Sequence, residues 1–119
     1  MRYTILIAET PEHFGWRDDP EVKAAFWAKW SAYSQAVAQA GIFVGGAALL
    51  PPEMGTTVKV KDGRRIVQDG PYSDAKEQLG GIFIIDVPDL DAALDWAAKC
   101  PAAEYSVVEV RPVLPMQQA

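Results

Sequence analysis

The 119-residue chain has one cysteine, Cys100, and one histidine, His13. A single cysteine excludes an intrachain disulfide. With one imidazole, one thiol and no ligand pair at zinc spacing, no metal site is expected. Cys100 has no histidine near it in sequence, so nucleophilic catalysis has no support. No apolar run approaches the roughly 20 residues of a membrane span. Cations are also scarce: 11 Lys and Arg stand against 16 Asp and Glu, for a net charge of −5. The one basic cluster is the short stretch from Lys59 to Arg65, too little for a nucleic-acid surface. Gly45-Gly46 and Gly80-Gly81 match neither the Walker nor the dinucleotide pattern, and no cofactor is expected. The chain starts Met1-Arg2-Tyr3 and runs straight into a strand-like segment without a signal-peptide pattern, which makes a cytoplasmic protein the simplest expectation.

What is present is apolar and well punctuated. Half of the residues are hydrophobic, enough for a core in one domain over residues 1–119. Tyr3–Ala8 reads as a strand apolar on both faces. Glu9–Asp19 reads as a loop, with His13 an exposed loop residue. Glu21–Ala40 reads as a helix with Asp19 as N-cap and Pro20 at its first position. Its stripe Val22, Phe26, Trp30, Tyr33, Val37 and Ala40 steps by three and four and should face a sheet. Trp27, one position off that stripe, either borders a cleft or packs at the helix edge. Gly41 ends the helix, and Ile42–Leu50 resumes as a strand. Asp62-Gly63 between Thr56–Val60 and Arg64–Gln68 predicts a hairpin on a type I′ turn, its charges a solvated face.

The segment from Gln68 to Gly81 is polar and turn-rich, and it puts Lys76 and Glu77 at the mouth of the apolar strand Ile82–Val87. Gly80-Gly81 is a place for a bulge. Asp89 should cap a second helix whose buried stripe is Leu90, Ala93, Leu94 and Ala97. Ser106–Val113 is the last strand and Gln117–Ala119 a tail. The order is an α+β, ferredoxin-like βαββαβ unit with an inserted β-hairpin. Two helices cover only one face of a four-stranded sheet, so a second copy of the sheet is expected on the other, giving a homodimer.

Asp69-Gly70-Pro71-Tyr72 followed by Lys76-Glu77-Gln78-Leu79-Gly80-Gly81 resembles the signature of the YCII-related family, in its DGPF-domain branch. The likeness runs from Arg2-Tyr3 through Val44-Gly45-Gly46 to Glu109-Val110-Arg111-Pro112. Tyr72 stands where the motif's name has Phe. The resemblance implies a dimeric α/β barrel of ferredoxin-like subunits and no settled activity. Some relatives carry a His–Asp pair proposed as catalytic, with its histidine in the first helix. Trp27, Ala28 and Lys29 occupy that neighbourhood here, so the pair is not carried over. Some relatives are linked with sigma factors, which implies a second kind of partner.

In the last strand Val108 and Val110 point one way, Glu109 and Arg111 the other. With the valines under the helices, the charged pair faces the dimer side, where it must be paired or line a wet cavity. A pocket with Asp69, Tyr72, Lys76, Glu77, Glu109 and Arg111 at its rim, and Trp27 beside it, is one reading. An ion-pair network that fixes the turn and the dimer register is the other. Glu77 is expected inward, paired with Arg111. Three functions fit: an enzyme doing acid–base chemistry on a polar small molecule, a small-molecule sensor, or a protein-interaction module serving a sigma factor.

Overall fold

A computed structural model describes residues 1–116; the expected tail at Gln117–Ala119 lies outside the described residues. The β-branched and apolar run after Met1 forms β1 (Arg2–Glu9). It is followed by a short helix α1 (Pro11–Gly15) and a long helix α2 (Lys23–Gln39). Then come β2 (Phe43–Ala48), the hairpin strands β3 (Thr56–Lys61) and β4 (Arg64–Asp69), and β5 (Gln78–Asp86). The chain ends with α3 (Leu90–Lys99), a single turn α4 (Ala102–Tyr105), and β6 (Val107–Pro112). Four strands make one antiparallel sheet in the order β2-β5-β1-β6. This is the ferredoxin-like order, with β1 and β5 at the centre as their apolar composition predicts. The hairpin forms a separate two-stranded sheet. Its turn residues Asp62 and Gly63 both have positive φ, 52° and 76°, as a type I′ turn requires.

Alternation along β1 decides which face is covered. Tyr3, Ile5, Ile7 and Glu9 are buried under the helices, while Thr4, Leu6 and Ala8 are only half-buried on the other side. Ile85, Tyr33, Val37, Ala93, Ala97, Cys100 and Ala102 complete the core. Val108 and Val110 pack against it from β6, as expected. Ile7 pairs with Gly81 and Ala8 with Leu79, so Gly80 is the extra residue of a β-bulge.

Several boundaries differ from the sequence reading. The loop Glu9–Asp19 contains α1, which Thr10 and His13 close with a capping box. Asp19 is not the N-cap of α2; Val22 is. The Asp19 carboxylate instead accepts from the Glu21 N–H, 2.9 Å, in the turn before the helix. Val22 and Ala40 are exposed, so the buried part of the α2 stripe is shorter than the spacing predicts. Asp89 does cap α3, accepting from the Ala92 N–H at 2.9 Å. Of the α3 stripe only Ala93 and Ala97 are buried; Leu90 and Leu94 remain 47% and 46% exposed. The small alanines let α3 sit close on the sheet, and the leucines on either side of that contact stay outside.

A buried carboxylate beneath an aromatic cavity

β1 ends by carrying a carboxylate into the core. The same alternation that buries Tyr3, Ile5 and Ile7 places Glu9 on the covered face, at 2% exposure. Three neighbours answer its charge or its lone pairs. Tyr105, at the end of α4, donates its hydroxyl hydrogen to Glu9 Oε2. Arg17, in the turn after α1, brings Nη2 to 3.5 Å from Oε1. Gly80, the bulge residue, supplies space: a Cβ there would overlap Glu9 Oε1. A buried ion of this kind persists only when paired and hydrogen-bonded.

Arg17 is held as firmly as the acid. Its Nη2 donates to the Gly80 carbonyl at 3.1 Å and its Nη1 to the Leu49 carbonyl. The guanidinium carbon lies 4.9 Å from the centre of the Phe14 ring, a cation–π contact. Its Nε is buried without a hydrogen-bond partner among the described residues. The Arg17 carbonyl accepts from Trp27 Nε1 at 3.1 Å, which ties α2 to the same turn.

His13 supports Tyr105 from the other side. It is 8% exposed, which corrects its reading as an exposed loop residue, and it belongs to a helix that precedes the long one. Its Nδ1 accepts from the Thr10 N–H at 3.0 Å, so a neutral ring carries its proton on Nε2. The ring packs against Trp16 and Tyr105, each with centroids 4.8 Å away. Burial pushes the Tyr105 phenol far above its ordinary range, and its bond to Glu9 pushes the same way. Tyr105 is therefore a fixed proton donor at neutral pH.

Glu9 and Arg17 line a cavity of about 340 Å³ between α2, β2 and β5. Its walls are aromatic: Phe26, Trp27 and Trp30 from α2, Phe43 from β2 and Phe83 from β5. The Trp30 and Phe83 rings are parallel to within 6°, with centroids 6.3 Å apart. Glycines 46, 80 and 81 keep the sheet floor low. The volume falls at the lower end of ligand-pocket sizes, about 300–1,000 Å³. Apolar walls with one carboxylate and one guanidinium suit a flat ring that carries oxygen substituents.

Of the residues singled out by sequence, Trp27 lines this cavity and the others lie elsewhere. Asp69 ends β4 and Tyr72 is 91% exposed in the following loop. Lys76 and Glu77 are exposed in the segment that leads into β5. Lys76 borders a separate, proline-lined pocket with Asp18 and Asp74 rather than the aromatic cavity. Glu109 and Arg111 sit on the uncovered sheet face and contact each other, Oε2 to Nε at 3.8 Å, both about 70% exposed. The expected Glu77–Arg111 pair does not occur among the described residues. Alternation did place Glu109 and Arg111 correctly, but they found each other along one strand. Sequence pattern singles out neither Glu9, Arg17 nor Tyr105, and it reads His13 only as an exposed loop residue. The available signal was the period-two continuation Tyr3, Ile5, Ile7, Glu9, which ends a buried row in a carboxylate. Nothing local marks Arg17 or Tyr105. Among the described residues no group of three or more His, Cys, Asp or Glu side chains could hold a metal.

The YCII-related domain model matches residues 1–117. An uncharacterised protein of Rhizobium meliloti (strain 1021) is 39% identical over 85 residues, which cover 70% of this chain and 68% of that protein. Among solved structures, 5-chloro-2-hydroxyhydroquinone dehydrochlorinase from Burkholderia phenoliruptrix AC1100, in complex with 2,5-dihydroxybenzoquinone, is similar with a TM-score of 0.54. The alignment covers 96% of this chain and 94% of the dehydrochlorinase at 15% identity, a likeness of fold.

Proposed function

This chain belongs to the YCII-related family, and from that premise we propose that it is a small enzyme that moves a proton on an oxygen-bearing ring held in the aromatic cavity. The observation that carries the reading is the buried Glu9 carboxylate opening onto that cavity, with Tyr105 and Arg17 fixed around it. Glu9 is the general base. It takes a proton from a ring hydroxyl, or from a carbon next to a ring carbonyl, and becomes a carboxylic acid. The negative charge left on the ligand oxygen lies beside the Arg17 guanidinium, in a site where apolar walls strengthen that attraction. Tyr105 keeps its proton throughout and holds the Glu9 carboxyl in place. The structurally similar dehydrochlorinase binds a dihydroxybenzoquinone, a flat ring of the kind these walls suit.

A binding-only role is the second reading. It is favoured by the engagement of both Glu9 carboxylate oxygens, Oε2 by Tyr105 and Oε1 by Arg17. One experiment separates the two. Wild type and Glu9→Gln are screened with hydroxyquinones and polyhydroxybenzenes by thermal shift and by absorbance for conversion. The enzyme reading expects stabilisation and conversion in wild type, with conversion lost in Glu9→Gln. A ligand present at 100 times its Kd stabilises by about 2.7 kcal/mol. Stabilisation without conversion supports the sensor. No stabilisation of wild type by any ring compound removes both.

A further inference from the structure

The hairpin is a free arm. β3 and β4 pair only with each other and form their own sheet. Its base is closed by the Gly70 N–H donating to the Gly55 carbonyl, 2.8 Å, and by Thr57 Oγ1 donating to the Gly70 carbonyl, 2.8 Å. Every residue of β4 is exposed, and so is every residue of β3 except Thr57. An isolated two-stranded hairpin is marginal in water, so a face that stays apolar calls for a cover. Val58 pairs with Val67 and Val60 with Arg65. These four share one face of the ribbon, and the three valines are 59%, 52% and 70% exposed for Val58, Val67 and Val60. Four cations and two anions give residues 56–69 a net charge of +2, which leaves −7 on the rest of a chain that is −5 overall. The arm and the body of the same protein are therefore of opposite sign.

On the body, α3 offers a surface of matching chemistry. Along α3, Leu90 and Leu94 form an exposed apolar ridge, 47% and 46% accessible, one turn apart. Asp91 and Asp95 form the next row on the same helix, and both are exposed or half-open to solvent. Valines with Arg65 on the same face, and Arg64 next to it at the turn end of the ribbon, fit leucines edged by Asp91 and Asp95, both in polarity and in charge.

We propose that the hairpin arm docks on the α3 ridge of a second copy of this chain. Each copy gives an arm and receives one, so two copies can close the contact by exchange. This contact does not depend on what the aromatic cavity binds.

The test is a charge swap read by sedimentation across a dilution series. Arg64→Glu with Arg65→Glu reverses the arm; Asp91→Lys with Asp95→Lys reverses the ridge. Each pair alone should weaken self-association by about tenfold or more, and all four changes in one chain should restore it. High salt should weaken the wild-type contact. Because the arm stands clear of the core, replacing residues 57–68 by a short Gly-containing turn should leave cooperative unfolding intact and reproduce the weakened association. Wild type monomeric throughout, an arm reversal without effect, or a fourfold variant that stays weak would each overturn the proposal. If the arm reversal has no effect on self-association, the arm belongs to a different acidic partner. Loss of association in the ridge variant is credited only if its thermal unfolding remains cooperative.

Discussion

At the scale of single residues, the informative positions are the polar ones that the core encloses. Cys100 is one. It is 1% exposed at the C-terminal end of α3. Burial pushes its thiol up to about 11; a backbone hydrogen bond at Ala102 partly opposes this, and the Glu9 charge adds to it. The ordinary value is 9.0, so the folded protein holds this proton more tightly than the unfolded chain does. The stabilisation is full below pH 9 and is lost as pH rises toward 11. A shift of this size is on the order of 3 kcal/mol. Denaturant midpoints should therefore fall over that window. Cys100→Ala should lower stability at pH 7 through the small cavity it opens, yet show a shallower fall between pH 9 and 11. An identical slope in the two proteins would contradict the assignment. Composition alone showed that this thiol could not form an intrachain disulfide; only the fold shows that it is sealed from solvent and close enough to Glu9 to feel its charge.

At the scale of elements, long periodic segments were legible and short ones were not. β1, α2, β5 and α3 announce themselves by repeated apolar spacing, and the hairpin by Asp62-Gly63. The single-turn helices α1 and α4 have no room for a period, yet they position His13 and Tyr105, so half of the candidate site was hidden with them. The bulge at Gly80 is legible from the glycine pair; its role is not. Its function follows from the register: the extra residue opens space on the covered face where Glu9 enters. Gly80→Ala should therefore destabilise the fold by about 1–3 kcal/mol, the usual range for overpacking. In a double variant with Glu9→Ala the added methyl should be tolerated better, with a coupling of at least about 0.5 kcal/mol by denaturant unfolding. Additive effects would mean that the methyl is resisted by the strand rather than by the carboxylate.

At the scale of the whole molecule, the sheet is covered on one side only. α2 and α3 lie over Tyr3, Ile5, Ile7, Phe83 and Ile85, while Leu6, Ile82 and Ile84 occupy the other face. That pattern was readable in advance, because β1 and β5 are apolar at both parities and two helices can bury only one of them. Glu109 and Arg111 cross the same open face opposite Leu6 and Thr4. An exposed pair of this kind contributes about 0–1 kcal/mol, so it does not by itself make the face a stable surface in water. Covering Leu6, Ile82 and Ile84 in a second sheet would gain on the order of 25 cal/mol per Å² of apolar area removed from solvent. We therefore expect two sheets to pack open face to open face, as a homodimer separate from the arm contact. Ile84→Lys puts a charge at the centre of that contact and should abolish the sheet dimer while leaving the helix-covered core folded. Sedimentation of Ile84→Lys in the Arg64→Glu, Arg65→Glu background, at a concentration where that background alone is dimeric, reads the outcome. A variant that keeps the mass of the arm-reversed background would move the sheet contact away from this face.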